Sequence, residues 1–116
     1  GQFPDYKIDI EETHHLQKLD KPSGTAITLA KDIIRTHPRY RRWAIDASKE
    51  NDVKIASLRQ AEVAGKHVIN YHSSIDTIAI THEAHSREGF ALGAVLVAEW
   101  IQDKKGIFTM NDFIKI

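Results

Sequence analysis

Two imidazoles and an ammonium lead directly into a helix start in the stretch Glu12-Thr13-His14-His15-Leu16-Gln17-Lys18-Leu19-Asp20-Lys21-Pro22-Ser23-Gly24-Thr25-Ala26. Histidine, with an ordinary pKa of roughly 6.5, can donate a proton near neutrality, whereas lysine, at roughly 10.4, keeps its charge. The first amides of a helix lack internal acceptors and sit at the positive end of its dipole, so they attract carboxylate or phosphate. Ser23 is the favoured N-cap, with Thr25 as second choice, and Gly24 allows close approach to the backbone. Alone, Pro22-Ser23-Gly24-Thr25 reads as an ordinary capped helix. With His14, His15 and Lys18 just upstream, it reads as a proton donor, a cation and oriented amides around a carboxylate-bearing substrate.

The elements that must hold these groups follow from periodicity. Tyr6 to His14 alternates apolar and polar and reads as a strand. Neighbours in a strand face opposite ways, so His14 and His15 should not serve one pocket equally. From Ser23 to Thr36, Ala26, Ile27, Ala30, Ile33 and Ile34 recur at helical spacing, and His37-Pro38 ends the helix. Arg39, Arg41 and Arg42 form a short basic run read as a solvated connector, and Trp43 to Val53 continues it as a polar link. Three strands are expected next: Val53 to Val63, His67 to His72 and Thr77 to Ala84, with a turn at Ala64-Gly65-Lys66. Their short connections argue an antiparallel meander. A second helix from Arg87 to about Lys104 is apolar around nearly its whole circumference and needs burial on more than one side. A short closing helix with a Thr109 or Asn111 cap is expected near the end. The fold class is therefore α+β: a mixed or antiparallel sheet of about four strands with a helix on one face. Gly1 to Pro4 read as a boundary.

Three segments together carry a family resemblance. His14-His15-x-x-Lys18-x-Asp20-x-Pro22-Ser23-Gly24-Thr25-Ala26 resembles the signature of dihydrodipicolinate reductase, an enzyme of bacterial lysine biosynthesis. Ile80-Thr81-His82-Glu83-Ala84-His85-Ser86-Arg87-Glu88-Gly89-Phe90-Ala91-Leu92-Gly93-Ala94 is similar to a later pattern of that family, and Gly106-Ile107-Phe108-Thr109-Met110-Asn111-Asp112 to its C-terminal one. The resemblance implies His14 as proton donor and Lys18 as the other catalytic position. It implies His15, Lys18, Ser23, Gly24 and Thr25 as substrate-binding positions, with Arg87 and Phe90 near an interdomain hinge beside the cofactor. It further implies a cyclic dicarboxylate substrate, NADH or NADPH, and a homotetramer; a cytoplasmic setting is expected because no membrane-length apolar run or secretory signal is visible. The link over 43–53 departs from the family, where many relatives carry a longer stretch with Arg and several Gly.

The family holds its dinucleotide on a Rossmann domain, and this sequence has no Gly-x-Gly-x-x-Gly turn. Residues 1–116 are thus expected to be a single C-terminal substrate-binding and assembly domain, itself binding no cofactor, with 87–116 packing on the absent nucleotide domain. A stand-alone dicarboxylate-binding module and a purely structural assembly domain are the rivals; assembly alone needs neither His14 nor Lys18. His67, His72, His82 and His85 invite a metal reading, but His82-Glu83-Ala84-His85 is one residue short of the His-Glu-x-x-His motif, and no metal is expected. Sixteen basic residues balance sixteen acidic ones, which gives no electrostatic case for nucleic acid or an anionic membrane. Cysteine is absent, excluding disulfides and thiolate sites, and no apolar run or secretory signal suggests a membrane.

Overall fold

Alternation in the first strand sets the plan of the chain. In β1, Lys7–His14, Ile8, Ile10 and Glu12 are buried while Lys7 and Glu11 are exposed. The computed structural model describes residues 5–45 and 49–115. The boundary read at Gly1–Pro4, the middle of the 43–53 link and Ile116 lie outside these. β1 feeds α1, Gly24–Thr36, which buries Ala26, Ala30 and Ile33. Ser23 caps it as expected, its Oγ accepting from the Ala26 amide at 3.2 Å.

The sheet has five strands in the order β2-β3-β1-β4-β5, where β2 is Arg42–Ile45, β3 Asp52–Arg59, β4 Gly65–His72 and β5 Thr77–Ala84. β1 and β3 are parallel, as are β2 and β3, while β1–β4 and β4–β5 are antiparallel. The α+β class, the mixed sheet and the covering helix are as expected, with three corrections. A fifth strand, β2, lies in the stretch expected to be a polar link; it sets Trp43 and Ile45 opposite Val53 and Ile55. The expected three-stranded meander is only the β4–β5 hairpin, because β1 separates β3 from β4. The short link over 60–64 does reverse the chain, but carries it to β1's far side; β3 meets β1 in parallel through the α1 crossover. Finally, β3 ends at Arg59 and the turn sits at Ala61 and Glu62, where Glu62 has φ 66°, rather than at 64–66.

The core is Ile8, Ile10, Ala26, Ala30, Ile33, Tyr40, Val53 and Ile55, with Leu29, Ile34, Trp43, Ile69 and Tyr71 packed around it. Tyr40 is buried with its hydroxyl oxygen accepting from the Ile8 amide at 2.7 Å, satisfying a backbone donor at the sheet's apolar end.

The chain divides into two compact units, one ending at His85 and one beginning at Ser86. In the second, α2 spans Glu88–Ile101 and α3 spans Met110–Ile114. Trp100 takes Phe108 and Phe113 edge-on, each with ring centroids 5.5 Å away. Thr109 caps α3 in a reciprocal capping box with Asp112. No α2 residue is buried, and Phe90, Leu92, Val95, Leu96 and Ile101 stay exposed. Among the described residues, no helix is long and apolar enough to cross a membrane.

Candidate active site

One face of the sheet changes character along its strands. Side chains two apart share a face, so Ile8, Ile10, Glu12 and His14 line up on β1. Pairing sets Ile55, Ser57 and Arg59 beside Ile10, Glu12 and His14, with His67 and Ile69 of β4 on the other side. Ile10, Ile55 and Ile69 make one end apolar. Glu12, Ser57, Arg59, His14 and His67 make the other end polar, and the N-terminus of α1 begins there.

Glu12 has no exposed surface, so its charge must be satisfied inside the protein. Oε1 accepts from Ser57 Oγ at 2.5 Å and from Arg59 Nη1 at 2.9 Å, and Oε2 lies in hydrogen-bond contact with His14 Nδ1. Burial alone would raise the Glu12 carboxyl, but the hydrogen bonds from Ser57, Arg59 and His14 outweigh it and hold it below the ordinary carboxylate range. Arg59 also binds the loop after β1: Nε donates to the Lys18 carbonyl at 3.2 Å and Nη2 to the Asp20 carbonyl at 2.6 Å. One guanidinium thus neutralises Glu12 and ties down the segment carrying Lys18. The Lys18 ammonium lies 3.1 Å from Asp20, and its hydrogen bond holds the Asp20 carboxyl below its usual range.

His67 stands edge-on to His14, ring centroids 5.2 Å apart, and its Nε2 is 2.9 Å from Ser23 Oγ. Burial, then the neighbouring His14, lowers its pKa, against a smaller raising effect of Glu12. At Gly65, a Cβ would come within 3.2 Å of His14 Nε2, so the glycine leaves that edge of the ring room.

The first unit therefore brings together His14, the loop bearing Lys18, and the α1 start with Ser23, Gly24 and Thr25. Gly24 and Thr25 are exposed, but Ser23 is 2% exposed and its Oγ serves the helix cap and His67. His15 is the first residue past β1, half-buried, so strand alternation no longer governs it. Arg87, at the start of α2, and the exposed Phe90 belong to the second unit.

Glu12, His14 and His67 each present a ligand atom, all within 4.8 Å of one another. A cation bound there would compete with Arg59 and His14 for the carboxylate and with Ser23 for His67. It would leave a mostly buried guanidinium unpaired, so the donor set suits a hydrogen-bond network better than a metal. His72 instead meets Asp9 at 2.8 Å on the opposite face, and His82 and His85 are exposed.

Sequence reasoning missed Glu12, Ser57, Arg59, Gly65 and His67 as parts of the site. The available signal was parity: Glu12 continues the i, i+2 series of Ile8 and Ile10, which makes it a buried carboxylate needing a cation.

Comparison with known proteins identifies the family. The family described as "Dihydrodipicolinate reductase, C-terminus" matches residues 1–114. The 4-hydroxy-tetrahydrodipicolinate reductase of Christiangramia forsetii is 54% identical over 110 residues, covering 95% of this chain and 46% of that protein. The enzyme of the same name from Buchnera aphidicola subsp. Schizaphis graminum is 41% identical, covering 93% of this chain and 43% of that protein. The dipicolinate-bound dihydrodipicolinate reductase from Paenisporosarcina sp. TG-14 superposes with a TM-score of 0.63 at 28% identity, over 81% of this chain and 38% of that one. The chain spans under half the length of these relatives. With a family match over nearly its whole length, this chain belongs to the dihydrodipicolinate reductase family, whose C-terminal domain it represents.

Proposed function

We propose that this chain is the substrate-binding and catalytic domain of a 4-hydroxy-tetrahydrodipicolinate reductase serving lysine biosynthesis. The observation that carries the reading is the convergence of His14, the Lys18 loop and the exposed Gly24 and Thr25 on one end of one sheet face. The dipicolinate in the related structure, a ring with two carboxylates, is the kind of ligand such a site suits.

Lys18 and the amides of Gly24 and Thr25 hold the two carboxylates, as an ammonium and a helix N-terminus do. Asp20, now paired with Lys18, yields to the substrate. His15 lines the same pocket, and the buried Ser23 shapes it through the cap. His14 delivers a proton from Nε2 to the ring being reduced. A reduced nicotinamide, NADH or NADPH, supplies the hydride when bound. This chain does not build the dinucleotide site: the link from β1 to α1, residues 15–23, contains no glycine. The cofactor therefore rests on another part of the full-length protein, with Arg87 and Phe90 as contacts from this part, and the isolated chain binds neither nucleotide. The apolar exposed residues of α2 are the surface that meets the nucleotide domain. The parent enzyme is a cytoplasmic homotetramer assembled through this domain, which light scattering of the full-length protein tests.

Steady-state kinetics in the full-length parent test the assignment. His14→Gln lowers kcat by roughly 10²-fold or more, the usual size of an acid–base contribution. Lys18→Ala damages both kcat and KM, and Thr25→Val mainly raises KM, because it removes the hydroxyl that joins the Thr25 amide on the carboxylate, a contact made in ground and transition state alike. A His14→Gln enzyme with unchanged kcat across neutral pH removes His14 as the donor.

A further inference from the structure

Buried carboxylates at the end of a core strand need a reason, because an aliphatic residue at position 12 would continue the series of Ile8 and Ile10 at no electrostatic cost. Glu12 spends its two oxygens differently. Oε1 is taken by Ser57 and Arg59, which fix the carboxylate. Oε2 faces only one of these partners, the Nδ1 edge of His14. His14 is mostly buried, its side chain 12% exposed, with Gly65 beside its Nε2 edge.

We propose that Glu12 is a positioning residue that acts through His14. It accepts the Nδ1 proton, fixes the ring's rotamer and tautomer, and leaves Nε2 as the atom that loses and regains a proton toward the site. A carboxylate can only accept, so in neutral His14 the remaining proton must stay on Nδ1. When the charged ring gives up its Nε2 proton to substrate, Nδ1 keeps its own proton on Glu12, and the ring returns to charge by taking one proton back from water. Arg59 has a second part in this arrangement: the same guanidinium that holds Glu12 also holds the Lys18 and Asp20 carbonyls, so the donor and the carboxylate-binding loop are fixed by one group. His67, whose pKa lies below the ordinary value, supports the scheme by standing neutral beside His14. The inference deepens the proposed function and rests on it for the direction of proton transfer.

Glu12→Gln tests it with little disturbance, because the amide oxygen can still accept from Ser57 and Arg59 while its NH₂ must face His14. Nitrogen-15 NMR of the imidazoles reads the tautomer in the present chain without substrate or cofactor. Neutral His14 is expected in the Nδ1–H form in the wild type and in the Nε2–H form in Glu12→Gln, with the backbone amide spectrum otherwise retained. The Nε2–H form in the wild type overturns the proposal. Should Glu12→Gln fail to fold, the wild-type tautomer still decides. In the full-length parent, Glu12→Gln should lower kcat by on the order of 10²-fold with KM little changed. Adding His14→Gln should lower it no further than His14→Gln alone. Additive losses overturn the claim that Glu12 works through His14. If His14→Gln alone leaves kcat intact, the proposed donor falls, while the tautomer experiment still judges the Glu12 contact.

Discussion

The two ends of one sheet face are built on the same strands, yet they solve opposite problems. At the apolar end, Ile8, Ile10, Val53 and Ile55 meet Ala26, Ala30 and Ile33 of α1, and burial of hydrocarbon stabilises the fold. Two residues further along β1, Glu12 is equally buried but carries charge, and it needs Ser57, Arg59 and His14 to offset its loss of hydration. The difference teaches where this fold gains stability and where it gathers buried polar groups. The apolar end can be shortened only at an energetic cost, whereas the polar end sets a buried ion pair, His14 and the start of α1 beside a rigid core.

Removing one partner of the buried ion pair should have the largest effect. Glu12→Leu leaves Arg59 uncompensated and is expected to cost about 3–5 kcal/mol in urea unfolding. Replacing the partner too, in Glu12→Leu/Arg59→Met, should regain roughly half of that loss or more, while the loop carrying Lys18 loosens. A double variant no more stable than the single one would mean that the polar end is itself a stabilising element. At the other end, Ile10→Ala should cost about 2–5 kcal/mol by opening a cavity. The chemical shifts of Gly24 and Thr25 should barely move in it; large shifts there would show that the two ends are not separable.

The smallest expected effect is on pH dependence, and it discriminates between the surroundings of the Glu12 carboxylate and the His67 imidazole. The Glu12 carboxyl lies below its ordinary range when folded, so its contribution is complete above the ordinary value of roughly 4.3 and is lost as pH falls through the lowered value. His67 also lies below its ordinary value, so the unfolded chain binds that proton first, and stability begins to fall below about pH 6.5. His67→Gln should flatten the slope just below neutrality and leave the acid limb due to Glu12. Urea midpoints from pH 7.5 to 4 read this directly, and an unchanged slope would rule out a titrating, half-buried His67.

Much of the molecule was legible where periodicity is local. β1, the Ser23 cap, α1, β5 and the apolar circumference of α2 all follow from spacing within a few residues. β2 was not legible, because four residues beside a basic run carry too little alternation to stand out, and its burial comes from pairing with β3. The parallel β1–β3 pairing was missed for a related reason: its partners are joined through a helix, so no turn signals it. Within the site, His14, Lys18 and the helix start were visible because they are adjacent in the chain. Arg59 and His67 reach Glu12 and Ser23 from more than forty residues away, and only the sheet register brings them in.

The most direct test of the central claim is a titration of the present chain with pyridine-2,6-dicarboxylate, followed by NMR. If both carboxylate contacts lie within this chain, as proposed, saturable shifts are expected at the Gly24 and Thr25 amides and the His14 ring, abolished by Lys18→Ala and unaffected by removing apolar side chains of α2. Saturable shifts elsewhere with these positions silent, or no saturable shift at millimolar ligand in a folded chain, would contradict it.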